Sequence, residues 1–310
     1  MEFYFAPLEG ITGYCYRNAY HHYFYPAERY YTPFIAPDQN LGFSAKEKKD
    51  LIPEHNQNIP IVPQILTNRA RPFLHTAQML ADWGYDEVNL NLGCPSRTVV
   101  TKKKGSGLLG VLDELEDFLD AIFQDCPLPI SIKTRAGVEE AEEFYEILDL
   151  YNEYPVKELI LHPRVQKDMY NNKPNLEIFR WALDHAKAPV VYNGDLFTKE
   201  DYETFHTLFP QVDKVMIGRG ILENPNLLGE IQAQQRLEKE TLKKFHDEIL
   251  TSYIEIFSGD RPVLFKMKEI WGYMLPLFRD GKEYQKKIRK AEKIPAYQRA
   301  VESLFETDLL

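Results

Sequence analysis

Cysteine is scarce: Cys15, Cys94 and Cys126 are the only three in 310 residues. An odd, widely spaced set supports neither a disulfide framework nor a thiolate metal site, and it fits a reducing compartment. No apolar run approaches the ~20 residues that a membrane span requires. The start, Met1-Glu2-Phe3-Tyr4-Phe5-Ala6-Pro7, has no basic segment followed by an apolar stretch, so no secretory leader is expected and the cytoplasm is the expected location. No Gly-x-Gly-x-x-Gly follows an early strand, which removes the usual signature of a dinucleotide-binding doubly wound sheet. Internal repeats and low-complexity tracts are missing as well.

What remains is an ordinary globular composition, 44% hydrophobic and 27% charged, long enough for one large core with a small satellite domain. The net charge of −10 at first disfavours a nucleic-acid partner. Its distribution weakens that objection. Residues 1–260 hold 26 basic and 40 acidic side chains, a net of −14, whereas 261–299 hold 11 and 4, a net of +7. The basic charge is concentrated near the C-terminus, where it reads either as a surface for a polyanion or as a solvated, lysine-rich helical face.

Short apolar, β-branched runs alternate with helix-like stretches to about residue 230. The clearest runs are 61–66, 87–92, 129–133, 158–162, 188–192 and 214–217, with two weaker ones at 2–6 and 27–31. Amphipathic stretches at 68–83, 112–124, 139–151 and 176–186 separate the later runs. Strand–helix alternation implies a parallel sheet, and eight strand candidates imply a closed (β/α)8 TIM barrel. Beyond residue 230 only helices are expected, with a break at Gly259-Asp260-Arg261-Pro262. The expected organisation is therefore a catalytic barrel over 1–230 and a small all-helical domain over 231–310. An open doubly wound sheet is the alternative.

Barrel enzymes place their chemistry at the C-terminal ends of the strands. There the sequence puts Pro7-Leu8, Thr32-Pro33, Gln64, Asn91, Lys133, His162, Asn193-Gly194-Asp195 and Gly218-Arg219-Gly220. Six of eight strands thus end in polar groups where a packed core would prefer Val or Ile. Glycines in the last two loops let the backbone approach a phosphate, and Arg219 adds a forked cation. Lys133 on a buried strand must be paired, deprotonated or bound to an anion. It suits the electron-rich edge of a reduced flavin, or a Schiff base, or a plain ion pair. Gln64 can donate to and accept from the same polar edge. Cys94, between Gly93 and Pro95, is a loop residue at the active face, unlike the small buried hydrophobe that most free cysteines are. A nucleophilic cysteine wants a histidine beside it, whereas a general acid does not, because a free thiol is mostly protonated at neutral pH. The following Lys102-Lys103-Lys104-Gly105-Ser106-Gly107 is a basic loop able to close over a polyanion.

Ala6-Pro7-Leu8-Glu9-Gly10-Ile11-Thr12, Asn91-Leu92-Gly93-Cys94-Pro95-Ser96, Lys133-Thr134-Arg135, His162-Pro163-Arg164, Asn193-Gly194-Asp195 and Gly218-Arg219-Gly220 together resemble the motif series of the tRNA-dihydrouridine synthases. The resemblance implies an FMN-dependent enzyme that reduces a uridine of tRNA, with NADPH as reductant, no metal, and a C-terminal RNA-binding domain. It implies FMN contacts from Pro7, Leu8, Glu9, Gln64 and Lys133, and phosphate contacts from His162, Asn193, Gly194, Asp195, Gly218 and Arg219. Asn91 and Arg135 would hold the uracil and Cys94 would give the proton. A monomer is the simplest assembly compatible with this. Two positions depart from the family pattern: Gly13 stands where Asp is usual, and Pro163 where a small residue is usual. The aromatics among the C-terminal bases (Phe265, Trp271, Tyr273 and Tyr284) are read as helix-packing residues. A flavoenzyme of a free pyrimidine, of the dihydroorotate or dihydropyrimidine type, would share the barrel motifs without needing the basic helices. A Lys133 aldolase would be colourless, and a catalytically dead RNA-binding barrel would have no use for Cys94 and Lys133.

Overall fold

Every strand pairing in the sheet is parallel, in the order β3-β2-β1-β9-β8-β7-β6-β5-β4. The computed structural model describes residues 1–37 and 42–310. The strands are β1 (Glu2–Phe5), β2 (Arg29–Tyr31), β3 (Ile61–Val62), β4 (Gln64–Ile65), β5 (Val88–Leu92), β6 (Ile130–Arg135), β7 (Leu159–His162), β8 (Val190–Tyr192) and β9 (Lys214–Ile217). All eight expected runs are present, the third as two dipeptides. Pro63 divides it, having no N–H to give to a ladder. The Val62 carbonyl accepts from Thr32 N on one side (3.1 Å), and the Pro63 carbonyl accepts from Asn89 N on the other (2.8 Å). The interrupted strand therefore joins the two ends of the sheet, and the fold is a (β/α)8 barrel.

Side chains alternate across a strand. On β5 this places Asn89 and Asn91 on one face and Val88, Leu90 and Leu92 on the other. The register pairs Gln64 with Asn89, Asn89 with Ser131 and Asn91 with Lys133, so these polar residues share one face of neighbouring strands. Tyr4, Ala6, Tyr31, Val62, Ile160, Val191 and Met216 form an apolar cluster from the remaining strands. The barrel core is thus apolar over most of its circumference and polar along β4–β6. Helices Ala70–Asp82 and Leu112–Asp125 bury Phe73, Ala77 and Leu80, and Leu115, Phe118, Leu119 and Ile122, at helical spacing. They meet edge to face through Phe73 and Phe118, with centroids 6.0 Å apart.

Two compact units are distinguished. The first comprises Met1–Pro7, Glu28–Asp195 and Phe209–Met216, and the second comprises Leu8–Ala27, Leu196–Leu208 and Ile217–Leu310. In the second, helix Tyr14–Tyr23 lies against Lys239–Ile256, with Phe245 edge to face on Tyr16 (5.3 Å) and on Phe24 (5.1 Å). Among helices Asp260–Met274, Gly281–Lys290 and Ile294–Phe305, Trp271 donates to Tyr297 Oη (2.7 Å). Tyr297 Oη also meets His246 Nε2 at 2.7 Å. Burial lowers the His246 pKa, which favours the neutral ring that accepts this bond.

The expected break at Gly259 is found, with a positive φ of 86° ahead of helix Asp260–Met274. A second break was not expected: helix Leu227–Ala233 ends where Gln234 turns left-handed (φ 52°), before Lys239–Ile256 begins. Trp271 is buried as a packing residue should be, but Phe265 is 66% exposed, a correction to its expected role. No helix of the described residues is long and apolar enough to cross a membrane.

Candidate active site

Past β5 the chain turns at Gly93 and Cys94, and Asn91 holds the turn. Its Oδ1 accepts from the backbone N–H of Gly93 (3.0 Å) and of Cys94 (2.9 Å). From the other side the Cys94 carbonyl accepts from the Ser106 amide (3.2 Å) and hydroxyl (3.0 Å). Gly105 makes this approach possible: its φ is +56°, and a Cβ there would lie 2.7 Å from the Cys94 carbonyl oxygen. The basic loop is therefore fastened to the cysteine turn. Cys94 is half-buried, whereas Cys15 is buried. Cys126 is also only half-buried, rather than the packed hydrophobe that a spare cysteine usually is, and burial raises its pKa.

Lys133 follows on the adjacent strand, in register with Asn91. Burial, with the positive charge of Arg135 nearby, brings its pKa down to about 7, against a partial offset from Cys94. Among the described residues it has no ion pair. A lysine so placed fits an anionic partner that the described residues do not provide.

Arg135 lies two residues beyond Lys133 on the same strand. It is 1% exposed and donates to the carbonyls of Gly93 (3.0 Å), Val165 (2.8 Å) and Met169 (2.6 Å). It thereby ties the cysteine turn to the loop after β7, where Met169 has a φ of +51°. Gln64 and Asn91 are buried too, with Asn91 Nδ2 donating to Gln64 Oε1 at 2.7 Å.

His162 and Asp195 are brought together by Arg164, whose role the sequence did not disclose. Its guanidinium makes a forked pair with the Asp195 carboxylate (Nη1 to Oδ1 at 2.9 Å, the second arm to Oδ2) and reaches His162 Nε2 at 3.0 Å. A guanidinium only donates, so Nε2 accepts and the ring is neutral, with its proton on Nδ1. Tyr170 was also missed. It is half exposed, lies under the Arg135 guanidinium (5.3 Å to the ring centroid) and is 6.1 Å from the His162 ring. Asn193 donates to the Met216 carbonyl (2.8 Å), and a Cβ on Gly194 would strike Tyr192 Oη at 2.0 Å.

Pro7 closes the first segment of the first unit, partly exposed. Leu8, Glu9, Gly218 and Arg219 belong to the second. There Leu8 N donates to Thr12 Oγ1 (2.8 Å), and Lys266 donates to the carbonyl of Gly10 (2.5 Å), which has a φ of +84°. Glu9 is exposed. Gly218 precedes the short helix Arg219–Glu223, and the Arg219 guanidinium lies 5.1 Å from the Phe197 ring centroid. No cluster of metal-binding side chains occurs among the described residues.

Residues 4–307 match the family model described as dihydrouridine synthase (Dus). Similar named proteins include tRNA-dihydrouridine synthase B of Pasteurella multocida, 25% identical over 71% of this chain and 65% of that protein, slightly less than two thirds of its length. A probable tRNA-dihydrouridine synthase of Staphylococcus aureus is 28% identical over 83% of this chain and 77% of its own. Among solved structures, morphinone reductase aligns with a TM-score of 0.52 at 12% identity, over 79% of this chain and 88% of that one. A variant of NCR from Zymomonas mobilis gives 0.53 at 14%, over 79% and 90%. At such identities these two are alike in fold.

Proposed function

This chain belongs to the dihydrouridine synthase family, and on that premise we propose that it reduces a uridine of tRNA to 5,6-dihydrouridine with FMN and NADPH in the cytoplasm. The observation that supports this best is the pairing of an anchored, half-buried thiol with a lysine on the next strand that has no acidic partner among the described residues. That lysine is where an anionic cofactor fits. Lys133 and Gln64 would hold the polar edge of FMN, with Pro7 beside the ring. His162, Asn193, Gly194 and Asp195 of the first unit would hold its phosphate end, Asp195 in part by keeping Arg164 in place.

When bound, FMN supplies a hydride for C6 of the uracil, and NADPH restores the two electrons. Charge then develops toward C5 and the C4 carbonyl, and Cys94 gives its thiol proton to C5. The thiolate is reprotonated from water, so the net change is one hydride and one proton added across the C5–C6 double bond. Asn91 and Arg135 would help hold the target uracil, and both also fix the cysteine turn in which they are buried. The target base must leave its stack to reach the thiol, as bases do for enzymes that act on them.

For RNA affinity, helix Gly281–Lys290 offers Lys282, Lys286, Lys287, Arg289 and Lys290, all exposed. None of them has an ion pair among the described residues. Residues 231–310 would then be the RNA-binding part, and 1–230 the catalytic part. On the barrel, the Lys102–Lys104 loop adds a second basic surface. Burial lowers the Lys104 pKa, as do the neighbouring charges of Lys102 and Arg69, so an RNA phosphate there would relieve the repulsion. The test is to purify the protein, record an FMN spectrum and map dihydrouridine in RNA from cells with and without it. Loss of one tRNA dihydrouridine with the protein supports the reading. An unchanged map, or turnover of free pyrimidines alone, overturns it.

A further inference from the structure

A run of hydrogen bonds crosses the polar side of the barrel from buried charge to the cysteine turn. Glu87, 1% exposed, accepts from Arg29 (2.5 Å) and Lys157 (2.5 Å) through Oε2 and from the Ser131 hydroxyl (2.6 Å) through Oε1. Ser131 Oγ accepts from Asn89 Nδ2 (2.9 Å), and Asn89 Oδ1 accepts from Gln64 Nε2 (2.7 Å). Gln64 Oε1 accepts from Asn91 Nδ2 (2.7 Å), and Asn91 Oδ1 accepts the amides of Gly93 and Cys94. Asn89, Gln64 and Ser131 are fully buried.

The direction of this run is determined from both ends. Glu87, held by two cations, is a carboxylate and can only accept, so the hydroxyl must donate to it and accept from Asn89. At the other end two backbone N–H groups can only donate, so Asn91 must turn its oxygen to them and its nitrogen to Gln64. The three amides between these ends have one arrangement that satisfies every link, and both ends demand the same one. Aligned bonds of this kind also polarise one another. An apolar filling such as Val and Leu would complete the core equally well. The polar filling does something more, because it terminates on the cysteine turn.

We propose that Glu87, Ser131, Asn89 and Gln64 are positioning residues for Cys94, setting the Asn91 amide and through it the turn that presents the thiol. This rests on reading Cys94 as the proton donor. Ser131→Ala removes the link between carboxylate and amides without touching the turn. In the holoenzyme, dihydrouridine formation on tRNA should fall about 10- to 100-fold, the effect of a modest misplacement of a reacting group. FMN content, flavin reduction by NADPH and the KM for tRNA should stay within twofold.

A purely structural role is separated by repeating the substitution in a Cys94→Ala background, where the residual rate should not fall further. An equal loss in both backgrounds, or a wild-type rate in the single variant, overturns the proposal. Should the Ser131 variant lose FMN or fail to fold, the isosteric Asn89→Asp breaks the same link and is held to the same outcomes. Iodoacetamide labelling of Cys94, followed by mass spectrometry with Cys126 as internal reference, requires no turnover. Its rate should change at least threefold in Ser131→Ala, and an unchanged rate overturns the positioning role. If the wild-type protein makes no dihydrouridine while this shift is present, the proposed reaction fails and the positioning role stands.

Discussion

At the scale of single residues, Lys133 governs a pH dependence whose sign can be worked out. In the folded protein it gives up its proton near 7, whereas in the unfolded chain it keeps it to the usual lysine range. Between those limits the unfolded state binds more protons, so stability rises with pH, and below about 7 the full penalty of desolvating the half-buried ammonium applies. Flavin-free protein should therefore melt higher as pH climbs from about 7 to about 9.5. Lys133→Met should remove that component of the slope, and an identical slope in both proteins would mean that the lysine is not desolvated. An anionic ligand keeps the proton on Lys133, so FMN should bind less tightly over the same rise in pH. Cys94→Ala should retain FMN and its reduction by NADPH yet lose about 10²- to 10⁴-fold in dihydrouridine formation, the usual contribution of a general acid. Normal product from that variant would remove Cys94 from its role. Both residues were legible in the sequence because a charge or a thiol at the end of an apolar run is out of place. Arg164 was not, although it lies within the quoted His162-Pro163-Arg164. What it holds, Asp195, is distant along the chain and adjacent only in space.

Among the elements, the strands were legible because short β-branched runs must be buried on a parallel sheet. The division at Pro63 could have been anticipated from the missing N–H. The break at Gln234 could not, since a left-handed residue other than glycine has no local signature beyond its tolerance of the strain. Glycine is required in the loop that braces Cys94. Gly105→Ala should cost about 1–3 kcal/mol for the positive φ alone. The new methyl would also press on the Cys94 carbonyl, so product formation should fall while flavin reduction persists. A variant with wild-type melting temperature and turnover would show that this loop has no part in setting the turn. On helix Gly281–Lys290 the prediction concerns salt. The double substitution Lys286→Glu, Lys287→Glu should weaken tRNA binding about tenfold or more and reduce the slope of log affinity against log salt by about 2. An unaltered slope would place the RNA elsewhere.

For the whole molecule, the proposed division into a catalytic part and an RNA-binding part is one of labour, and the compact units follow a different one. The second compact unit draws helix Tyr14–Tyr23 from the start of the chain and helices from 239 to 305 from its end. Tyr16, Ala19, Tyr20 and Phe24 are buried there, with Phe245 against two of those rings. The sequence could not disclose this, because the apolar pattern of helix Tyr14–Tyr23 shows that it has a buried face but not which distant helix covers it. Removing residues 231–310 would uncover that face. Each large apolar side chain returned to water forfeits about 1.5–3 kcal/mol, against a net stability of about 5–15 kcal/mol for a typical domain. Three such rings are enough to erase most of it. A fragment ending at residue 230 should thus be insoluble or melt without a cooperative transition, and replacing Phe245 by Ala in the full chain should lower the melting temperature markedly while leaving the basic helix Gly281–Lys290 unaltered in sequence. Circular dichroism and size-exclusion chromatography of the fragment decide the matter. A monomeric, cooperatively melting 1–230 would show that the helical segment is an attachment, whose loss costs RNA affinity alone.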